Sequence, residues 1–437
     1  MTTYTEKRGT LKFLLIAFIG ILLVFANPVH SQESELTIED DSFNSQSTDE
    51  KINAIAREIE VLKSEKAIFK PAPEQGRFGV GPAASKVYGI NSGVSIGGYG
   101  EIHYEHYDKE NESGNGSGKT NDYDALRAIL YFGYKFNDWI LLNTEFEFEH
   151  ADEAYLEFAY LDFMFDDAFN LRVGLLLLPM GIVNELHESP TFLPVNRSET
   201  ESRIIPSTWR ENGIGFYGSL ADFTYRGMIV NGMAGADADP FNSSGLRGGR
   251  QKGSQAKADN LAGALRVDYE GLPGTILGVA GYYGGSGQDA GFTAETAIFD
   301  FHLDTKWQGI YVRALFAMAT VADADRIASR AGLAANGINT TVGEQMIGYY
   351  GELGYDVLDR LPTTQKLIFF GRYEHINTQA KVAAGYAKDN SKERTIYTTG
   401  VSWKPISQIA MKTDFVFEQN KAGTGFNAWN MAMTYLF

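Results

Sequence analysis

Basic side chains recur on one parity of separate alternating segments: Arg127, Arg172, Arg226, Arg266, Arg313, Arg372 and Lys412. Carboxylates hold the same parity at Glu145, Glu147, Glu157, Asp268, Glu374 and Asp414. A guanidinium is a rigid planar fork matched to carboxylate or phosphate, so arginines spread around a wall offer a small anion a series of binding steps. The competing chemistry is mutual pairing, in which neighbouring charges neutralise one another and brace that wall. Sign alternates between the segments bearing Arg127, Glu145, Glu157 and Arg172, so bracing is the expected main role of most of these groups.

Other chemistry finds little support in the sequence. The chain has no cysteine, which removes thiolate catalysis, disulfide frameworks and cysteine zinc sites together. His103 and His106 take opposite faces of a strand, which makes a two-histidine metal site improbable. Gly93-Val94-Ser95-Ile96-Gly97 fits a nucleophile-elbow pattern, but it sits inside an alternating strand and not at a strand-to-helix turn. Asp237, Asp239 and Asn242, and separately Asp323 and Asp325, lack the Gly and terminal Glu of a calcium loop and read as solvated acids. No catalytic residue, metal or cofactor is therefore expected, and the chain reads as a non-enzyme. A net charge of −17 argues against a nucleic-acid partner, since phosphate backbones are held by an excess of Lys and Arg.

The elements that must carry these charges are strands. From Gly89 to Phe437 the apolar period is two: Ile140, Leu142, Phe146 and Phe148 alternate with Asn143, Glu145, Glu147 and Glu149, and Ile310, Val312, Phe316 and Met318 flank Arg313. Short turns at Phe136-Asn137-Asp138, Asp166-Asp167, Leu220-Ala221-Asp222, Gly271 to Gly274, Lys306-Trp307, Asp359 to Pro362 and Pro405-Ile406 make seven, separated by longer polar loops. Seven turns and eight loops join sixteen strands, which predicts an all-β chain: a 16-stranded antiparallel transmembrane barrel over 89–437, apolar outside and charged within. The connection from Pro179 to Glu211 carries Ile182, Val183, Phe192, Leu193, Ile204, Ile205 and Trp209, too greasy for a surface loop. It is expected to fold inward as the third loop and narrow the lumen with Arg197, Arg203, Arg210 and its glutamates. The last strand ends on Tyr435 and Phe437, resembling the signal by which barrel-assembly machinery recognises its substrates.

Before the barrel, Lys7, Arg8 and Lys12 precede an apolar run, Phe13 to Ala26, too short to span a bilayer, so residues 1–31 read as a signal peptide. Residues 32–48 are acidic and lack an apolar period, and are expected to be disordered. Ile52, Ile55, Ile59 and Leu62 form the seam of a short coiled coil over 49–68, whose isoleucines favour three or four chains over two. Residues 69–88, rich in Pro, Gly and Ala, read as a linker.

The stretch Ile204-Ile205-Pro206-Ser207-Thr208-Trp209-Arg210-Glu211-Asn212-Gly213-Ile214-Gly215, and more loosely Gly89 to Phe437, resembles the phosphate-selective porins O and P. That resemblance implies a sixteen-stranded homotrimer whose third loop enters the lumen, and a preference for small anions. Some relatives, dicarboxylate-taking ones among them, similarly carry a short coiled coil before the barrel. The expected function is passive diffusion of small hydrophilic solutes, anions such as phosphate or dicarboxylates favoured, across the outer membrane of a Gram-negative bacterium. Outer-membrane lipid and lipopolysaccharide would surround the chain. The alternative is a non-conducting anchor whose coiled coil tethers the outer membrane to periplasmic partners.

Overall fold

The computed structural model describes residues 52–55, 57, 72–237 and 240–437. The chain divides into two units, Met1–Lys66 and Ala67–Phe437. Of the first, only residues 52–55 and 57 are described; they are helical, with Ile52 and Ile55 exposed. The expected signal peptide, the acidic segment, and Ile59 and Leu62 of the expected seam lie outside the described residues.

The second unit is built on sixteen strands. The first eight are β1 (Gly93–Tyr107), β2 (Asp122–Lys135), β3 (Ile140–Glu149), β4 (Glu153–Met164), β5 (Asn170–Leu177), β6 (Arg210–Leu220), β7 (Phe223–Asn231) and β8 (Leu261–Tyr269). The second eight are β9 (Thr275–Gly285), β10 (Glu295–Trp307), β11 (Ile310–Val321), β12 (Gln345–Asp356), β13 (Lys366–Lys381), β14 (Glu393–Ile406), β15 (Ile409–Asn420) and β16 (Asn427–Leu436). Each pairs antiparallel with its sequence neighbours, and β1 pairs with β16 from Tyr99↔Leu436 to Tyr107↔Ala428, closing the barrel. Closure satisfies every strand edge, which a sheet in hydrocarbon requires. The seven turns fall at or within two residues of the positions expected from sequence.

Period-two chemistry decides which way each side chain points. Along β16, Trp429, Met431, Met433 and Tyr435 are exposed, whereas Ala428, Asn430, Ala432 and Thr434 are buried. The outer face is a continuous apolar belt that also takes in Phe299, Phe301, Leu353, Phe369, Phe415 and Phe417. Simple alternation fails once in β4, where the register slips between Glu145 and Phe146 of β3. This bulge turns both Glu157 and Phe158 into the buried interior while Leu156 stays exposed.

Two segments fill the interior. The third loop, residues 178–209, folds inward and buries Ile182, Val183, Phe192, Leu193, Ile204, Ile205 and Trp209, as its apolar content required. The other is the region read as a linker: from Ala72 to Ile90 it is folded inside the barrel, with Val80, Ala83, Ala84 and Val87 no more than 2% exposed. A short 3-10 helix, Ala84–Gly89, lies against β1, β2 and β3. Pro and Gly content signalled the lack of regular structure here, but could not show that small residues fit a crowded lumen.

Candidate functional site in the barrel lumen

The predicted inward charges lie inside the barrel, and all six of the arginines among them are paired with carboxylates. Arg172 grips Asp162 through Nε at 2.7 Å and Nη2 at 2.9 Å, with Tyr160 and Tyr217 across its faces. Arg127 lies 3.6 Å from both Glu101 and Glu149, Arg313 lies 2.8 Å from Asp304, and Arg372 lies 4.0 Å from Glu352. Arg226 and Arg266 converge on Asp268 of β8 and Glu185 of the third loop. His302 faces Asp300 through Nδ1 at 2.6 Å and Asp268 through Nε2 at 2.9 Å. Lys412 makes no ion pair among the described residues; its ammonium donates to the carbonyls of Ser189 at 2.6 Å and Pro194 at 3.0 Å.

These contacts serve the third loop as much as the wall. Loops carry backbone donors and acceptors that a buried position must satisfy, and here wall side chains do so one by one. Asp300 accepts from Gly181 N at 2.9 Å, Glu374 from Thr200 N at 2.6 Å and Asp414 from Val195 N at 2.7 Å. Within the loop, Glu201 accepts from Ile182 N and Val183 N at 2.7 and 2.6 Å and from the Tyr350 hydroxyl at 2.6 Å. Glu145 faces His187 of the loop at 3.4 Å, and Glu147 is buried beside it.

Of the three loop arginines, Arg197 donates to His187 O at 3.3 Å and Arg203 is half-exposed against Glu199 at 2.9 Å. Arg210 is the first residue of β6 and not a loop residue, and it pairs with Glu157 at 2.6 Å. Sequence reading missed Asp162, Asp300 and His302. The third-loop glutamates expected at the constriction, Glu185, Glu188 and Glu201, are buried there, and the backbone partners of Glu188 and Glu201 carry no sequence signal.

The folded segment 72–90 completes the interior. Glu188 of the third loop accepts from Ala83 N and Ala84 N, both at 3.0 Å, Asn143 donates to Ala84 O at 3.0 Å, and the Tyr88 hydroxyl donates to Asp162. Burial, with Glu145 adding to it, pushes the Glu188 carboxyl up to about 7, against the restraint of those two N–H donors. A carboxyl raised in the folded state favours the fold fully below its unfolded value of 4.5, and that contribution is lost as pH rises through about 7. At 1.36 kcal/mol per unit the change is about 3 kcal/mol. Amide exchange at residues 80–87, corrected for intrinsic rate, is therefore expected to be slower at pH 5 than at pH 8, and Glu188→Gln is expected to flatten the difference. Equal protection at both pH values in the unmodified protein would contradict this account.

At mid-height the wall is close-packed against these two segments. Tyr99, Glu145, Phe158, Asp300, His302 and Asp414 are all within 1% of fully buried. Solvent reaches the inward face mainly towards its ends. Lys306, Lys366 and Lys404 stand near the short turns, Lys366 and Lys404 directly opposite in register; none makes an ion pair among the described residues, and the Lys404 ammonium donates to the third-loop carbonyl of Pro190 at 2.6 Å. The short-turn end of such a barrel is periplasmic. Among the described residues no group of three or more His, Asp or Glu is placed to hold a metal.

A closed sixteen-stranded barrel, apolar outside, charged inside and entered by its third loop, is an outer-membrane barrel of the porin type, and the chain resides in the outer membrane of a Gram-negative bacterium. The anion-selective porin of Comamonas acidovorans superposes with a TM-score of 0.51 at 10% identity, covering 79% of this chain and 100% of its own. OmpT of Vibrio cholerae with loop L8 deleted covers 80% and 100% with a TM-score of 0.49 at 10% identity. OmpF of Salmonella typhi covers 79% and 98% with a TM-score of 0.48 at 11% identity. No protein-family profile matches the chain. An Aquifex aeolicus protein, described as uncharacterized, is 39% identical over 382 residues, 85% of this chain and 86% of its own, and the chain belongs to the family of that protein.

Proposed function

We propose that this porin passes small hydrophilic solutes by diffusion and favours small anions, phosphate or dicarboxylates among them. The observation that carries the anion preference is the lysine group at the short-turn end, Lys306, Lys366 and Lys404, with Lys366 and Lys404 opposite in register and no carboxylate ion pair to any of the three among the described residues. The arginines that first suggested such a preference, Arg127, Arg172, Arg226, Arg266, Arg313 and Arg372, are neutralised by carboxylates and act as braces. Ammonium groups without a carboxylate partner set the local potential, and a charged narrow passage selects by that potential. The porin acts without a cofactor and as a homotrimer, with the seam residues Ile52, Ile55, Ile59 and Leu62 gathering the chains. Tyr435 and Phe437, outward-facing beside the β1–β16 junction, present the assembly signal.

Planar-bilayer reversal potential in a KCl gradient, with phosphate and then succinate added, tests this reading. Anion-leaning current is expected, and replacing Lys306, Lys366 and Lys404 together by Glu is expected to shift it toward cations. Unaltered selectivity in that variant removes the lysines from the account. A second reading, the non-conducting tether, is favoured by the dense burial at mid-height; protein that inserts yet stays silent even with residues 72–90 deleted supports it.

A further inference from the structure

The segment 72–90 differs in kind from everything else in the barrel. It is bound to the wall by side-chain contacts, not by a β-ladder, for the ladder closes through β1 and β16 without it. It is also folded largely upon itself: Arg77 and Val80 exchange backbone hydrogen bonds at 3.1 Å, Ser85 Oγ donates to Gly81 O at 2.7 Å, and Arg77 N donates to Ser85 Oγ at 2.8 Å. A body with internal hydrogen bonds can leave the lumen without exposing an unpaired strand edge. Its footing is polar. Glu188 holds the amides of Ala83 and Ala84, and Tyr88 inserts its hydroxyl between Asp162 and Arg172, accepting from the latter at 2.8 Å. Its packing is made by small side chains, and a Cβ on Gly81 would stand 2.8 Å from Glu188 Cγ, so the fit against the third loop is close.

We infer that residues 72–90 are an autoinhibitory plug, latched to the third loop through Glu188, whose withdrawal from the lumen opens the channel. The inference rests on the porin reading. It accounts for the burial of mid-lumen groups such as Tyr99, Asp162 and Arg172, which a standing aqueous passage would wet. The plug precedes β1 and therefore meets the wall from the end where β1 begins, which is the short-turn, periplasmic end. Traction from that side acts along its direction of exit.

The absence of native cysteine permits a direct test in the full chain. G81C/E188C pairs two positions in direct contact, a Cβ at 81 standing 2.8 Å from Glu188 Cγ, so that oxidation to a disulfide fixes the plug and reduction releases it without the Glu188 latch. Because both states are read on the same folded, inserted protein, misfolding of a variant does not confuse the result. The expected outcome is low conductance when oxidised and an open fraction raised about tenfold or more on reduction. A deletion of 72–90 is expected to conduct like the reduced form. Equal conductance in the oxidised and reduced forms, with the disulfide verified by mass spectrometry, overturns the plug and leaves the porin intact. Silence in every form, the deletion included, overturns the porin reading and the plug with it.

Discussion

Replacing Asp268 by alanine is expected to be the most destabilising single change in the barrel wall, at about 3–5 kcal/mol. The carboxylate stands at a junction of three cationic or donor groups: Arg266 Nε approaches Oδ2 at 2.8 Å, His302 Nε2 approaches Oδ1 at 2.9 Å, and Arg226 Nη2 also contacts Oδ2. With it gone, Glu185 alone would face both guanidiniums, and His302 would keep a single acceptor in Asp300. Removing one partner of a buried ionic network leaves the others desolvated and unpaired, which costs more than the pair itself contributes. Because Glu185 belongs to the third loop, the loss also loosens that loop. Urea unfolding in detergent, followed by far-ultraviolet circular dichroism, reads the stability. A double-mutant cycle with Arg226→Ala is expected to give clear coupling, since the two residues share one contact. Additive losses would show that the network is screened and the estimate wrong.

Most of the barrel was legible in the sequence because lipid enforces a strict rule: one face greasy, the other free. That rule made strand count, turn positions and the inward parity of Arg127, Arg172 and Arg266 readable from alternation alone. It failed at Glu157 and Phe158, where a bulge sends two consecutive side chains inward and no composition signal marks the slip. It also held no information about residues 72–90. Small residues describe a flexible linker and a tightly packed plug equally well, and only the acceptors at Glu188 and Asp162 distinguish the two. The interior charges were visible as types but not as partners. Lys412 stands among acids in sequence, yet it spends its donors on third-loop carbonyls. Pairing between distant strands is set by barrel closure, a property of the whole chain and not of any window within it.

Glu201→Ala is expected to free the third loop from the wall while leaving the strands paired. Glu201 is fully buried, and its two oxygens take three donors: the amides of Ile182 and Val183 and the hydroxyl of Tyr350 on β12. Alanine satisfies none of them, and each buried orphan costs about 1–3 kcal/mol, so local stability of the loop falls by roughly 3 kcal/mol or more. Glu201→Gln keeps one acceptor oxygen for the paired amides and an NH₂ that the Tyr350 oxygen can accept from, so its effect is expected to be far smaller. Trypsin supplies the measurement, for Arg197 and Arg203 lie within the loop on either side of Glu201. Cleavage at those two bonds is expected to accelerate at least tenfold in Glu201→Ala, the factor that about 1.4 kcal/mol of opening free energy provides. Far-ultraviolet circular dichroism should remain that of an intact barrel, because no ladder bond involves Glu201. Cleavage as slow as in the unmodified protein would mean that apolar packing of Ile182, Ile204, Ile205 and Trp209 holds the loop without this clamp. Rapid cleavage in the glutamine variant as well would assign the clamp to the charge of Glu201 and not to its hydrogen-bond count.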